Sequence, residues 1–193
     1  MKRSSIADAA PPLTPEQQQD LDDAQERVGA FLGAAKVAAF NGWTVGFFAA
    51  VSILLGVFSV TNLVVGVGLA VVARNELVGR VRLQSFDPSG LELLWRNQLG
   101  FMVLIILYCL WSIYRTVAFP VPGMARLTEL LGDGTGELVQ WLLLTVYAAV
   151  IVATTIFQGL NARYYFVRVA RLRDYVRDTP QWVVDRQSST TLE

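Results

Sequence analysis

The chain has 193 residues, 53% hydrophobic and 17% charged, with 16 basic and 16 acidic side chains and no net charge. A soluble domain carries about 25% charge, and here the deficit is gathered into long apolar runs, so the composition reads as a polytopic membrane protein and argues against a nucleic-acid partner. Histidine is absent and Cys109 is the only cysteine, which excludes an internal disulfide, a thiolate metal site and the commonest general base; the sequence implies no cofactor and no metal.

Residues 1–13 read as a disordered cytoplasmic tail that lacks the apolar segment of a signal peptide. Residues 14–36 read as an amphipathic cytoplasmic helix. It opens on "TPEQ" (14–17), a capping box with proline in the first helical position. Behind it Leu21, Ala24, Val28, Phe31, Ala35 and Ala38 recur at spacings of three and four, an apolar seam running into the first span.

Residues 37–158 are predicted to be a four-span membrane domain. No charged residue falls between Val37 and Ala73, a run of 37 residues. As one helix it would be roughly 55 Å long, against a hydrocarbon core of about 30 Å. A break is required, and Thr61-Asn62 is the polar pair near the middle. The expectation is therefore a helical hairpin turning at 59–62, between spans at 37–58 and 63–80; the alternative is one span plus a re-entrant half-helix. The second span must continue past Arg74, which can snorkel, and Glu76, which is spaced to pair with Arg80.

Asp87 and Pro88 then start a short amphipathic helix, "LELLWRNQ", with Leu91, Leu94, Trp95 and Leu99 on one side. A third span follows at 99–119 and ends at "FPVPG". Residues 124–131 read as an interfacial helix, and "GDGTG" (132–136) as a turn, since it lacks the lysine and preceding strand of a phosphate loop. The fourth span is expected at 138–157. A basic cytoplasmic helix occupies 159–179, with Tyr165, Val169, Leu172 and Val176 on one face, and 180–193 reads as a flexible tail.

Orientation follows from the distribution of arginine and lysine. With four crossings and both termini cytoplasmic, that side holds 14 basic residues and the outer side 2, Arg115 and Arg126. Fourteen arginines against two lysines point to a GC-rich bacterial source, so the expected location is a bacterial inner membrane.

Several constellations bear on function. Gly42, Gly46 and Ala50 place small residues at four-residue intervals, which lets helices approach closely within lipid. Thr154, Gln158 and Asn161 share a face of the fourth span and form a candidate polar crevice, or bond to neighbouring helices. Arg163, Tyr164, Tyr165, Arg168 and Arg171 resemble a lipid-headgroup interface, with rings at headgroup level and charges outside them that favour anionic lipid. Cys109 lies mid-span without a neighbouring base and reads as a packing residue. The acidic helix 16–27 and the basic helix 163–177 fall on the same side, each with an apolar stripe, and are expected to pack together. With no catalytic residue, cofactor site or metal site in view, the expectation is a non-enzymatic scaffold or accessory subunit. It would bind a membrane-protein partner, or further copies of itself, through its spans and cytoplasmic helices. The alternative is a small oligomeric channel or transporter.

Overall fold

A computed structural model of the chain describes residues 13–119, 128–130, 132 and 134–192. Among these there is no strand, and four helices are long and apolar enough to cross a membrane. They are α1 (Pro15–Leu55), α2 (Val60–Gln84), α3 (Ser89–Ala118) and α4 (Thr135–Asp178), followed by a shorter α5 (Gln181–Leu192). Each long helix packs chiefly on its neighbours in sequence, α1 on α2, α2 on α3 and α3 on α4. The predicted interfacial helix at 124–131 lies outside the described residues except for 128–130, as do residues 1–12 of the tail.

Helix starts follow local chemistry. The Thr14 hydroxyl accepts the Gln17 N–H at 3.3 Å, and Gln17 Oε1 accepts the Thr14 N–H at 3.0 Å, closing the expected capping box. At the head of α3, Asp87 Oδ1 accepts the Ser89 N–H at 2.9 Å and Oδ2 accepts the Ser89 hydroxyl at 2.6 Å. No break separates the "LELLWRNQ" segment from the third span: α3 is continuous, because nothing in it removes a backbone donor or forces a turn. The glycine turn before α4 is as expected, with Gly132 and Gly134 at φ 99° and 93°, a region costly for any residue with a Cβ.

Two expectations are corrected. The α1–α2 reversal lies at a 3₁₀ turn, Gly56–Phe58, with Ser59 extended, so α2 begins at Val60 and Thr61-Asn62 occupy its first turn rather than the loop. Glycine decides the position. A methyl group at Gly56 would lie 2.9 Å from the Leu63 Cα, and one at Gly66 2.8 Å from the Ile53 nitrogen, so the antiparallel backbones meet at glycines. The second correction is residues 181–192, which form a helix rather than a flexible tail. Val183 and Val184 are buried against the other helices. The Gln84 side chain donates to the Thr191 carbonyl at 3.3 Å, and Tyr175 donates to Gln187 Oε1 at 2.5 Å.

Packing differs between the two ends of the bundle. At the end away from the Gly56–Phe58 turn, α1, α4 and α5 meet the loop between α2 and α3 in one apolar core. Val28, Phe31, Leu83, Leu94, Tyr165, Leu172 and Val183 are buried together there. The stripes of the acidic and basic helices thus meet as expected; Phe31 and Tyr175 rings lie 5.8 Å apart. Phe86, held at φ 54°, buries its ring 5.9 Å from Tyr175, and that burial offsets a left-handed backbone costing about 1–2 kcal/mol. The charges do not pair across the α1–α4 seam. Among described residues Arg173 pairs with Glu92 of α3, and Arg177 with Asp174 and Asp178 on its own helix. At the turn end the helices expose their apolar faces. A third of the most apolar stretch of α2 is buried, and none of that of α4. Phe40, Trp43, Phe47, Leu107, Trp141 and Ile156 all face outward.

The small-residue face of α1 does pack on α2, but its register shifts along the helix. Gly42 is buried, and a methyl group there would lie 2.9 Å from Leu77 Cδ2 and 3.2 Å from Glu76 Cβ. At Gly46 the nearest atom would be Ala73 Cβ at an ordinary 3.7 Å. Ala49, not Ala50, is the buried residue of the next turn, because a 3.6-residue period rotates the i+8 position off the seam. Gly42→Ala is therefore expected to lower stability by about 1–3 kcal/mol through overpacking. Gly46→Ala should be neutral or stabilise by up to ~1 kcal/mol through helix propensity. Thermal unfolding of both variants in detergent tests the contrast; equal melting temperatures would contradict it.

Candidate functional site: a buried polar layer around Glu76

The apolar face of α2 runs through Leu69, Val72, Ala73, Glu76, Gly79 and Leu83, all buried. One member of this 3–4 pattern is a carboxylate, and it is the most enclosed of the bundle's charged groups, with no exposed surface. The facing stripe of α3 runs through Leu91, Leu94, Asn97 and Gln98, so two amides replace the apolar residues where α3 crosses Glu76. Asn97 Nδ2 donates to Glu76 Oε1 at 2.7 Å and to the Val72 carbonyl at 3.0 Å. Gln98 Nε2 donates to the same Oε1 at 2.8 Å. Asn75 Nδ2 donates to Asn97 Oδ1 at 3.2 Å and holds that amide in place. Hydrogen bonds from neutral amides to a carboxylate are stronger than neutral pairs, and burial without them would be prohibitive.

The carboxylate is served on one side only. Glu76 Oε2 is buried and accepts no hydrogen bond, and the same holds for Gln158 Oε1 across the bundle. Between them lies a cavity of about 50 Å³ lined by residues from all four long helices, among them Asn41, Gln98, Gln158 and Asn161 with the walls of Val45, Val72 and Phe101. No basic residue lines it. Tyr165 stands beside Asn41 with its hydroxyl buried.

The sequence-derived candidates fall in different places. Gln158 and Asn161 line the Glu76 cavity, while Thr154, one turn away, does not. The expected pairing of Glu76 with Arg80 does not occur: the carboxylate points into the bundle, toward α3. Tyr165 is not at a headgroup interface. It is fully buried in the core, because it shares a helical face with Val169 and Leu172. Arg163 and Arg171 are exposed. The Arg168 guanidinium sits 3.5 Å from the centre of the Tyr164 ring and donates to the Tyr164 carbonyl at 2.9 Å, a cation–π contact that fixes its direction. Arg168 and Arg171 share a crevice of about 460 Å³ with Arg27 and with the acidic Glu26, Asp174 and Asp178. Cys109 is buried, as a packing residue would be.

Glu76, Asn97, Gln98 and Asn41 were not singled out by the residue pattern as a site. The signal was present: each falls on the apolar stripe of its helix, where a polar side chain must find a partner. Chemically the layer offers oxygen acceptors and amide donors without an activated nucleophile, and no group of three or more metal-ligating His, Cys, Asp or Glu side chains occurs among the described residues.

Removing one donor tests the layer. Asn97→Ala strips Glu76 of one hydrogen bond and leaves the carboxylate buried, so a loss of about 1.5–3 kcal/mol is expected. In the Glu76→Gln background the same change should cost less, because a neutral amide loses less than a charge. Chemical or thermal denaturation of the double-mutant cycle reads the coupling, and additive losses would show that the two side chains act independently. Comparison of the chain with protein-family models, with curated proteins and with solved structures finds no match.

Proposed function

We propose that this chain is a non-enzymatic, multi-pass protein of a bacterial inner membrane that binds a transmembrane helix of a partner, in the manner of a scaffold or accessory subunit. The observation that carries this reading is a groove running along α1 and α2, with a volume of about 780 Å³. It is lined by small side chains, Gly46, Ala49, Ala50, Ala70 and Ala73, and bordered by Ile53 and Leu77. In lipid, where apolar surface alone drives no association, small-residue faces are where a second helix can approach closely enough for dispersion contacts to favour binding. The first candidate for that helix is a second copy of this chain. Arg74 and Arg82 also line the groove, which gives an anionic lipid the competing claim on it.

The orientation that supports this reading has both termini cytoplasmic, with 14 basic residues on that side against 2 outside. In a Cys109→Ala background, a cysteine replacing Phe58 at the exposed turn should react with an impermeant thiol reagent in intact cells. One replacing Ser85 should react only after lysis. The opposite pattern reverses the topology.

Partner binding is tested in native membranes. A cysteine replacing Ala50 should give a cross-linked adduct, of twice the chain's mass if the partner is a second copy, while one replacing Val152 on the outer face of α4 should not. Ala50→Trp, which fills the groove, should abolish association. The absence of any adduct from Ala50 would leave lipid as the occupant and remove the partner reading.

A second reading, a small oligomeric channel or transporter, is favoured by one observation. Besides the Glu76 cavity, the bundle holds a polar cavity of about 250 Å³ at the turn end, bordered by Asn62, Tyr108, Ser112, Arg115 and Tyr147. Two polar cavities at different levels of one bundle are what a stepwise path for an ion would require.

A further inference from the structure

We infer that the cavity at Glu76 is a binding site for a dehydrated monovalent cation of the sodium class. The inference stands apart from partner binding and would survive its failure.

Four features of the cavity specify the ligand. Its free valences are oxygens: Glu76 Oε2 and Gln158 Oε1 are both buried and both lack a hydrogen-bond donor. The side-chain amides of Asn41 and Asn161 also line the cavity and can turn their carbonyl oxygens inward. Oxygen-only sets select hard cations over transition metals. Second, the lining carries one carboxylate and no basic residue, so a single positive charge balances it and a divalent ion would leave an excess buried charge. Third, the volume is about 50 Å³, compared with ~30 Å³ for the share of one water in the liquid. That is room for one ion stripped of its hydration shell and too little for Mg²⁺, which keeps several waters. Fourth, the other carboxylate oxygen is already saturated by Asn97 and Gln98, which fixes the direction in which Oε2 points.

All four long helices contribute to the lining, and α1 and α4 otherwise pack chiefly on α2 and α3 rather than on each other. A cation held there would draw α4 toward α1 through Gln158 and Asn41, so occupancy and the closure of the bundle would be linked.

The test is equilibrium binding of radioactive sodium to the detergent-purified protein, together with its melting temperature in sodium chloride and in choline chloride at matched ionic strength and fixed pH. Saturable sodium binding is expected, with a melting temperature that rises by several degrees with sodium and not with choline, and less with potassium. Glu76→Gln should abolish both effects. Its neutral amide keeps an acceptor for Asn97 and gains a donor for Gln158 Oε1, so the fold should persist. Gln158→Leu should weaken sodium binding at least tenfold while leaving the Asn97 and Gln98 bonds to Glu76 in place. Identical melting in sodium and choline with no saturable binding to the unaltered protein would overturn the inference and assign the cavity to water or to a proton on Glu76. Sodium dependence that persists in Glu76→Gln would overturn it equally.

Discussion

The helices are longer than a bilayer is thick, and much of the architecture follows from that mismatch. α1 has 41 residues and α4 has 44, so each is roughly 60 Å or more in length against about 30 Å of hydrocarbon. With the apolar stretches taken as spans, a single helix passes through two solvents and must solve two different packing problems. In water, burying Val28, Phe31 and Leu172 is itself a driving force, at ~25 cal/mol per Å². There the chain builds a closed core, with α5 and the α2–α3 loop packed into it. In hydrocarbon that force vanishes, and only close backbone approach and hydrogen bonding remain. There the chain uses Gly42, Gly56 and Gly66, and leaves its large side chains pointing outward.

The polar layer lies where the closed core gives way to the apolar stretches of the helices. Tyr165 belongs to the core, and its neighbour Asn41 lines the Glu76 cavity. Above that level α1 and α4 have little mutual contact. A layer of hydrogen bonds at the junction specifies register in a way that apolar contact cannot, because an amide that slips by one residue loses its partner, whereas a leucine merely finds another methyl group. The arrangement is asymmetric. Glu76 Oε1 accepts two hydrogen bonds and Oε2 none. A structural clamp gains nothing from an orphan oxygen and loses the cost of desolvating it.

Most of the helical layout was legible from the residues because it rests on local rules: the Thr14 capping box, the Asp87 start, the glycines before α4, and four apolar stretches of spanning length. The errors have one origin. Polarity was read as a sign of exposure, so Thr61-Asn62 were given the turn, Tyr165 the headgroups, Glu76 a pairing with Arg80 and residues 181–192 the solvent. In each case a neighbour distant in sequence decides otherwise. Gly56 and Gly66 fit the Leu63 and Ile53 backbones, Val169 and Leu172 carry Tyr165 into the core, Asn97 and Gln98 receive Glu76, and the core accepts Val183. The sequence pattern of one helix records which side chains share a face; it does not record what the facing helix presents. Gln158 and Asn161 were found because both lie on one helix, and Asn41, Glu76 and Gln98 were missed because each lies on a different one.

The burial of Val183 and Val184 has a consequence for how the protein is made. The apolar surface of α1 that includes Ala24, Val28 and Phe31 is synthesised first, and the segments that cover it, Tyr165–Tyr175 and Val183-Val184, are more than a hundred residues further along. At ~5–20 residues per second that surface waits on the order of 10 s or longer for its cover. The α1–α2 hairpin, whose contacts are local, can close at once. An early intermediate therefore has the α1–α2 hairpin paired and the first half of α1 bare, with an acidic helix carrying an uncovered apolar stripe. During that interval the stripe stays uncovered, and a slow step between α3 and α4 would lengthen the exposure.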